Sequence, residues 1–159
     1  MIAPGTPAPA FRLAREEGSS FTERELRGQH SMLVFYPFAF SPVCTDQLGL
    51  YEDVLSDYLA KRGATMYGVS CDARWSQTAF REKLGISIPQ LSDFEPKGAA
   101  CRAFGVLNPA GFAERALIMI DPQGVARFSY VARSPAELPG LEILREGLNQ
   151  AFGLAARAA

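Results

Sequence analysis

Histidine and tryptophan each occur once in this chain, and cysteine three times. These scarcities exclude several kinds of chemistry before any motif is sought. His30, in "RGQHSML" at the polar start of a strand pattern, reads as surface, so a Cys–His nucleophilic pair lacks its base. Cys44, Cys71 and Cys101 lie about thirty residues apart, too far for a local zinc knuckle, which leaves only a zinc site assembled from distant parts, with little in the sequence to support it. No apolar run is long enough to span a bilayer. Neither sign of charge dominates: 16 Lys plus Arg stand against 17 Asp plus Glu, scattered along the chain, with a net charge of -1. Nothing here is built to hold nucleic acid. The opening "MIAPGTPAPAFRL" lacks the basic start, apolar middle and small-residue cleavage site of a secretory signal. The expectation is a cytoplasmic protein whose thiols are free at rest.

What remains is an ordinary globular composition, 48% hydrophobic over 159 residues, long enough for one domain with a real core. We take residues 1–159 as that domain, without repeat, linker or low-complexity segment. "SMLVFYP" (31–37) and "ATMYGVS" (64–70) are short apolar runs closed by breakers and read as buried strands. Between them Tyr51, Val54, Leu55, Tyr58 and Leu59 recur at helical spacing, with Gly63 as the stop, which makes a parallel strand–helix–strand unit. Asp72 is expected to cap a second helix through "ARWSQTAFREKL" that ends at Gly85. "PKGAACRAF" reads as a short third helix starting near Pro96. "RALIMID", the turn "DPQG" and "VARFSYVA" form an antiparallel hairpin, and Leu141, Leu144, Leu148, Ala151 and Phe152 mark a closing helix. The first thirty or so residues, with "AFRL", "GSSF" and Gly28, look like an extra hairpin and turn. The sum is an α/β fold of thioredoxin-like arrangement, a mixed central sheet with helices on both faces and an N-terminal hairpin extension.

The informative seam is "VFYPFAFSPVCTDQLGLYEDV" (34–54), where a strand pattern passes through two prolines into a helical one. With Ser41 as N-cap, Pro42 falls at the first helical position and Cys44 at the third, among backbone N–H groups that no earlier turn satisfies. In a capping box that third position carries an anionic Glu. A thiolate there gains from the same donors and from the positive end of the helix dipole. The other reading of Cys44 is a buried structural thiol, the common fate of a cysteine in a reducing cell, and its place in the first turn after a strand argues against that. A dithiol oxidoreductase needs Cys-x-x-Cys at this helix start; here the first position is Ser41, so disulfide exchange within the motif is excluded.

"PFAFSPVC" fits P-x-x-x-[T/S]-x-x-C and resembles the active-site signature of the peroxiredoxins, with Pro37, Ser41 and Cys44 on its fixed positions. "PGTPAPAFRL", "SCDARWSQTAFREKLGISIPQLSD", "CRAFGVLN" and "RALIMIDPQG" extend the resemblance along nearly the whole chain, and it is closest to the AhpE-like, one-cysteine branch. The resemblance implies that Cys44 attacks a peroxide and that an arginine from a distant strand completes the site. Arg115 matches that arginine; its other reading is a strand-end residue held by Glu114 or solvent, and Arg127 is a weaker substitute. Gln47 stands where relatives often carry Glu, so it either orients Arg115 through its amide or lies on the solvated face. Pro37 shields the thiolate or simply ends the strand.

The resemblance thus implies a thiol-dependent peroxidase that takes hydrogen peroxide or organic hydroperoxides through a Cys44 sulfenic acid and needs no cofactor or metal. An external thiol, thioredoxin-like, glutaredoxin-like or of low molecular weight, would then recycle it. Thiolate formation alone cannot make such an enzyme efficient. Donors fixed around the leaving oxygen, namely the Cys44 N–H, the Ser41 hydroxyl and Arg115, must add more, at about 3 kcal/mol for one donor. Gly49 occupies one position of a resolving thiol in the family, and no cysteine follows Cys101. Cys101 and Cys71 are therefore the candidate resolving residues of a self-resolving alternative, with Cys71 also readable as plain core. A peroxide sensor using Cys44 without efficient turnover is the alternative of another class. The family resemblance, together with the aromatic rim of Phe38 and Phe40, implies a homodimer or larger homo-oligomer.

Overall fold

Alternate residues of one strand sort the interior into two cores. In β3 (His30–Phe35), Met32 and Val34 pack into one core and Leu33 and Phe35 into the other, as the two-residue period of an extended chain requires. All four are fully buried. A strand without a wet face needs cover on both sides, and the rest of the chain supplies it.

The computed structural model describes residues 1–153. Ahead of β3 run β1 (Arg12–Arg15) and β2 (Ser20–Thr22). After it come α1 (Pro42–Ala60), β4 (Ala64–Ser70), α2 (Arg74–Leu84), β5 (Gln90–Ser92), α3 (Ala99–Phe104), β6 (Ala116–Ile120), β7 (Ala126–Val131) and α4 (Leu141–Phe152). The strands form one sheet in the order β2-β1-β5-β4-β3-β6-β7. β3 is parallel to β4 and β4 to β5, whereas the hairpins β1–β2 and β6–β7 and the pairings β1–β5 and β3–β6 are antiparallel. α1, α2 and α4 cover one face through Leu48, Tyr51, Phe80, Leu144 and Leu148. On the other face α3 and the N-terminal hairpin contribute Phe104, Leu13 and Phe21. The mixed, thioredoxin-like sheet with an N-terminal hairpin extension is the expected architecture.

Five local expectations need correction, one of them Leu141, expected on the apolar stripe of α4 but exposed at that helix's first residue. His30 is not open surface: it begins β3 half-buried, its ring 4.6 Å from that of Phe152 because α4 closes over that strand end. Asp72 caps nothing. α2 has Ala73 as its N-cap, and the Asp72 carboxylate instead accepts from the Ala39 N–H at 2.9 Å and the Ser70 hydroxyl at 2.7 Å. α3 begins at Ala99 rather than near Pro96, and Asp93 supplies its cap by accepting from the N–H groups of Ala100 at 3.0 Å and Cys101 at 2.8 Å. Val54, expected on the apolar stripe of α1, is exposed; the buried face runs Cys44, Gln47, Leu48, Tyr51, Leu55, Leu59.

Candidate active site

The turn from β3 into α1 is fixed from several sides. The Tyr36 N–H donates to the Val69 carbonyl at 2.9 Å, which extends β3's registry with β4. Asp72 holds Ala39. Phe40 then adopts φ 68, left-handed backbone that only it takes among the described non-glycine residues. Such a conformation costs roughly 1–2 kcal/mol for a bulky side chain, and the bonds on either side of Phe40 hold it there. Ser41 follows in extended conformation as the N-cap, with Pro42 as the first helical residue. The helical ladder opens with the Thr45 N–H donating to the Ser41 carbonyl at 2.9 Å, so the N–H groups of Val43 and Cys44 precede any intrahelical acceptor. The Ser41 side chain makes no capping bond.

Cys44 is fully buried at this helix start. Arg115, just ahead of β6, is 2% exposed and uses three nitrogens on three partners. Nη2 donates to Cys44 Sγ at 3.3 Å, Nη1 to Gln47 Oε1 at 2.6 Å and Nε to the Pro135 carbonyl at 2.8 Å. No carboxylate pairs with this buried cation among the described residues. The segment that carries Pro135 is tied to α1 four residues further on, where the Tyr51 hydroxyl donates to the Pro139 carbonyl at 2.8 Å. Burial pushes the Tyr51 phenol up to about 12, so it stays a donor at any physiological pH. A cleft of about 290 Å³, lined by Pro37, Phe38, Ser41, Phe112 and Arg115 among others, opens beside this group.

Five of the residues singled out in the sequence, Pro37, Ser41, Cys44, Gln47 and Arg115, therefore meet in one place. Gln47 is wholly buried rather than solvated. Glu114 bonds Asn108 instead of Arg115, and Arg127 lies in a 2.6 Å ion pair with Asp121 on the hairpin. Cys71 and Cys101 are elsewhere, in the core on the far side of the sheet from Cys44. Their sulfurs are 3.9 Å apart, and Asp93 completes a tight group with them. Sequence reading missed Asp93, the Pro135 carbonyl, Tyr51 and the role of Asp72. Each acts through a backbone group or a partner far along the chain, which no local pattern signals.

A thioredoxin-like sheet that presents a buried thiol at a helix N-terminus, with an arginine on it, defines the class. The AhpC/TSA family profile matches residues 4–129, and the chain belongs to that family, the peroxiredoxins. A putative peroxiredoxin of Mycobacterium tuberculosis is 35% identical over 92 residues, 58% of either chain; this chain thus spans little more than half of that relative's length. Alkyl hydroperoxide reductase E of the same organism is 32% identical over 109 residues, 68% of this chain and 71% of that one. The structure of AhpC from Enterococcus faecalis superimposes with a TM-score of 0.82 at 26% identity, over 99% of this chain and 98% of that one. Among the described residues no helix is long and apolar enough to cross a membrane.

Proposed function

We propose that the chain, as one domain over residues 1–159, is a thiol-dependent hydroperoxide reductase with Cys44 as nucleophile. The observation that carries this reading is the buried Arg115 guanidinium 3.3 Å from the Cys44 sulfur at the first turn of α1. This cation has no carboxylate partner among the described residues and stands on the sulfur itself, and the thiolate is the form of a cysteine that attacks. A hydroperoxide enters by the cleft beside Pro37 and Ser41. The S–O bond forms as the O–O bond breaks; sulfur becomes a sulfenic acid, and the other oxygen leaves as water or an alcohol after taking a proton. Charge growing on that oxygen meets the Cys44 N–H, the Ser41 hydroxyl, which capping does not occupy, and Arg115. Gln47 and the Pro135 carbonyl hold the guanidinium for this work, and Pro37 contributes no N–H that would compete for the thiolate.

Relatives named alkyl hydroperoxide reductase E and peroxiredoxin Bcp support this substrate class. Recycling is by an external thiol, which attacks the sulfenic sulfur and releases water; a second thiol then attacks the external sulfur of that mixed disulfide and releases the Cys44 thiol. The packing of Cys71 and Cys101 across the sheet from Cys44 supports this one-cysteine cycle over self-resolution. The reading includes a cytoplasmic location and a homodimer. Given hydrogen peroxide and a thiol reductant, the wild type is expected to consume many equivalents and Cys71→Ser to keep most of that activity, whereas Cys44→Ser added to Cys71→Ser loses it. Appreciable turnover by that double variant would overturn the assignment, and a single equivalent consumed by the wild type would make the protein a sensor instead.

A further inference from the structure

We propose that Cys71 and Cys101 form a second redox site, separate from Cys44, which closes to an intramolecular disulfide when a hydroperoxide oxidises it. The two sulfurs are already in contact at 3.9 Å; a disulfide needs about 2.05 Å, so each has only about an ångström to travel. The backbone around them can supply that movement. Cys71 sits just beyond the last residue of β4, where the ladder has ended. Cys101 rides on the six-residue α3, which is set between Gly98 and Gly105, with φ of 72° and 73°. Left-handed glycines at both ends mark α3 as a short turn of its own, held at its start by the Asp93 carboxylate, so the shift required of Cys101 is confined to this element.

The pair packs on the opposite face of the sheet from Cys44, and Cys71 reaches a cleft that adjoins the one at Arg115. Tyr67, Val69 and Cys71 alternate onto the face that carries Leu33, Phe35 and Cys101, while Cys44 packs with Met32 and Val34 on the other. Cys71 lines a cleft of about 300 Å³ with Pro37, Phe38, Asp72, Lys97 and Phe112. The Phe38 and Phe112 rings, 4.9 Å apart, line both this cleft and the one at Arg115. Cys101 is fully buried, which fixes the order of events. The sulfur–sulfur contact, in which either thiol can donate, holds the Cys71 pKa down, while that contact and burial beside Asp93 push Cys101 up. Cys71 is thus the attacking sulfur and Cys101 the proton-bearing partner. The Cys71 thiolate takes one oxygen of the hydroperoxide, the O–O bond breaks, and the other oxygen leaves, protonated, as water or alcohol. Cys101 sulfur then attacks the Cys71 sulfenic sulfur and displaces hydroxide, which takes the Cys101 proton and leaves as water. Two thiols and one hydroperoxide become one disulfide, one water and one further water or alcohol.

The test uses full-length Cys44→Ser protein, with Cys44→Ala as a second background should serine disturb the buried site. The reduced protein, in chelator to keep the thiols metal-free, is treated with excess hydrogen peroxide, alkylated under denaturing conditions and digested without reductant. We expect intact mass to fall by about 2 Da through one S–S bond, a linked Cys71–Cys101 peptide, and recovery of both alkylatable thiols with dithiothreitol. Adding Cys101→Ser should abolish the linked peptide and leave a sulfenic acid on Cys71 that a dimedone probe captures. Two thiols that remain fully alkylatable, or only disulfides between molecules, would overturn the proposal. Because Cys44 is absent from both backgrounds, the outcome is independent of the peroxidase reading.

Discussion

Arg115 commits each edge of one planar group: Nε to a carbonyl, Nη1 to an amide oxygen, Nη2 to sulfur. Lysine, a single flexible ammonium, cannot hold three directions at once. Arg115→Ala is therefore expected to slow peroxide attack by about 100-fold, the usual effect of removing one fixed donor from a developing oxyanion. The loss should persist at alkaline pH, where thiols ionise unaided. Stopped-flow measurement of the second-order rate across pH checks this; full recovery at high pH would mean that Arg115 serves only to ionise Cys44. Ser41, Pro42 and Cys44 were legible from the sequence because consecutive residues of one turn carry their roles. Arg115 lies 71 residues from its sulfur, and only the family resemblance pointed to it. The meeting of Cys71 with Cys101 had no signal at all, since it depends on β4 and α3 sharing one face of the sheet.

The β6–β7 hairpin turns on Asp121. Its carboxylate accepts from the N–H groups of Gln123 at 2.9 Å and Val125 at 3.0 Å and from Arg127 Nε at 2.6 Å. Burial alone would raise this carboxyl, but the Val125 N–H, Arg127 and the Gln123 N–H outweigh it and hold the pKa below the ordinary carboxylate value. A carboxyl lowered on folding stabilises the protein fully above its unfolded pKa, near 4, and less as pH falls through the folded value. Asp121→Ala should thus cost about 2 kcal/mol at neutral pH and progressively less in acid. Urea unfolding of both proteins at several pH values measures this, and a pH-independent difference would contradict it. This turn was readable because "DPQG" carries its own chemistry, as was β4, an apolar run with breakers behind it. β5 was not: three residues, Gln90–Ser92, carry too little pattern, and β1 and β4 on either side make it a strand. The start of α3 was misjudged because its cap is Asp93, which precedes the segment that reads as helix.

For the whole molecule, the sheet separates Cys44 from the Cys71–Cys101 pair, and the rim above Cys44 carries the surface expected to join two copies. Phe38 and Phe40 are 48% and 54% exposed beside the site. Sedimentation should give a homodimer that Phe40→Asp converts to monomer, since Asp tolerates left-handed backbone; a monomeric wild type would remove the rim's proposed role. The central claim is tested most directly by intact mass and peptide mapping after one equivalent of hydrogen peroxide, with and without a sulfenic-acid trap. The account predicts a trap adduct on Cys44 alone and, without the trap, an oxidised Cys44 that an added thiol reduces through a mixed disulfide. An unmodified Cys44, or a disulfide joining Cys44 to Cys71 or Cys101, would contradict it.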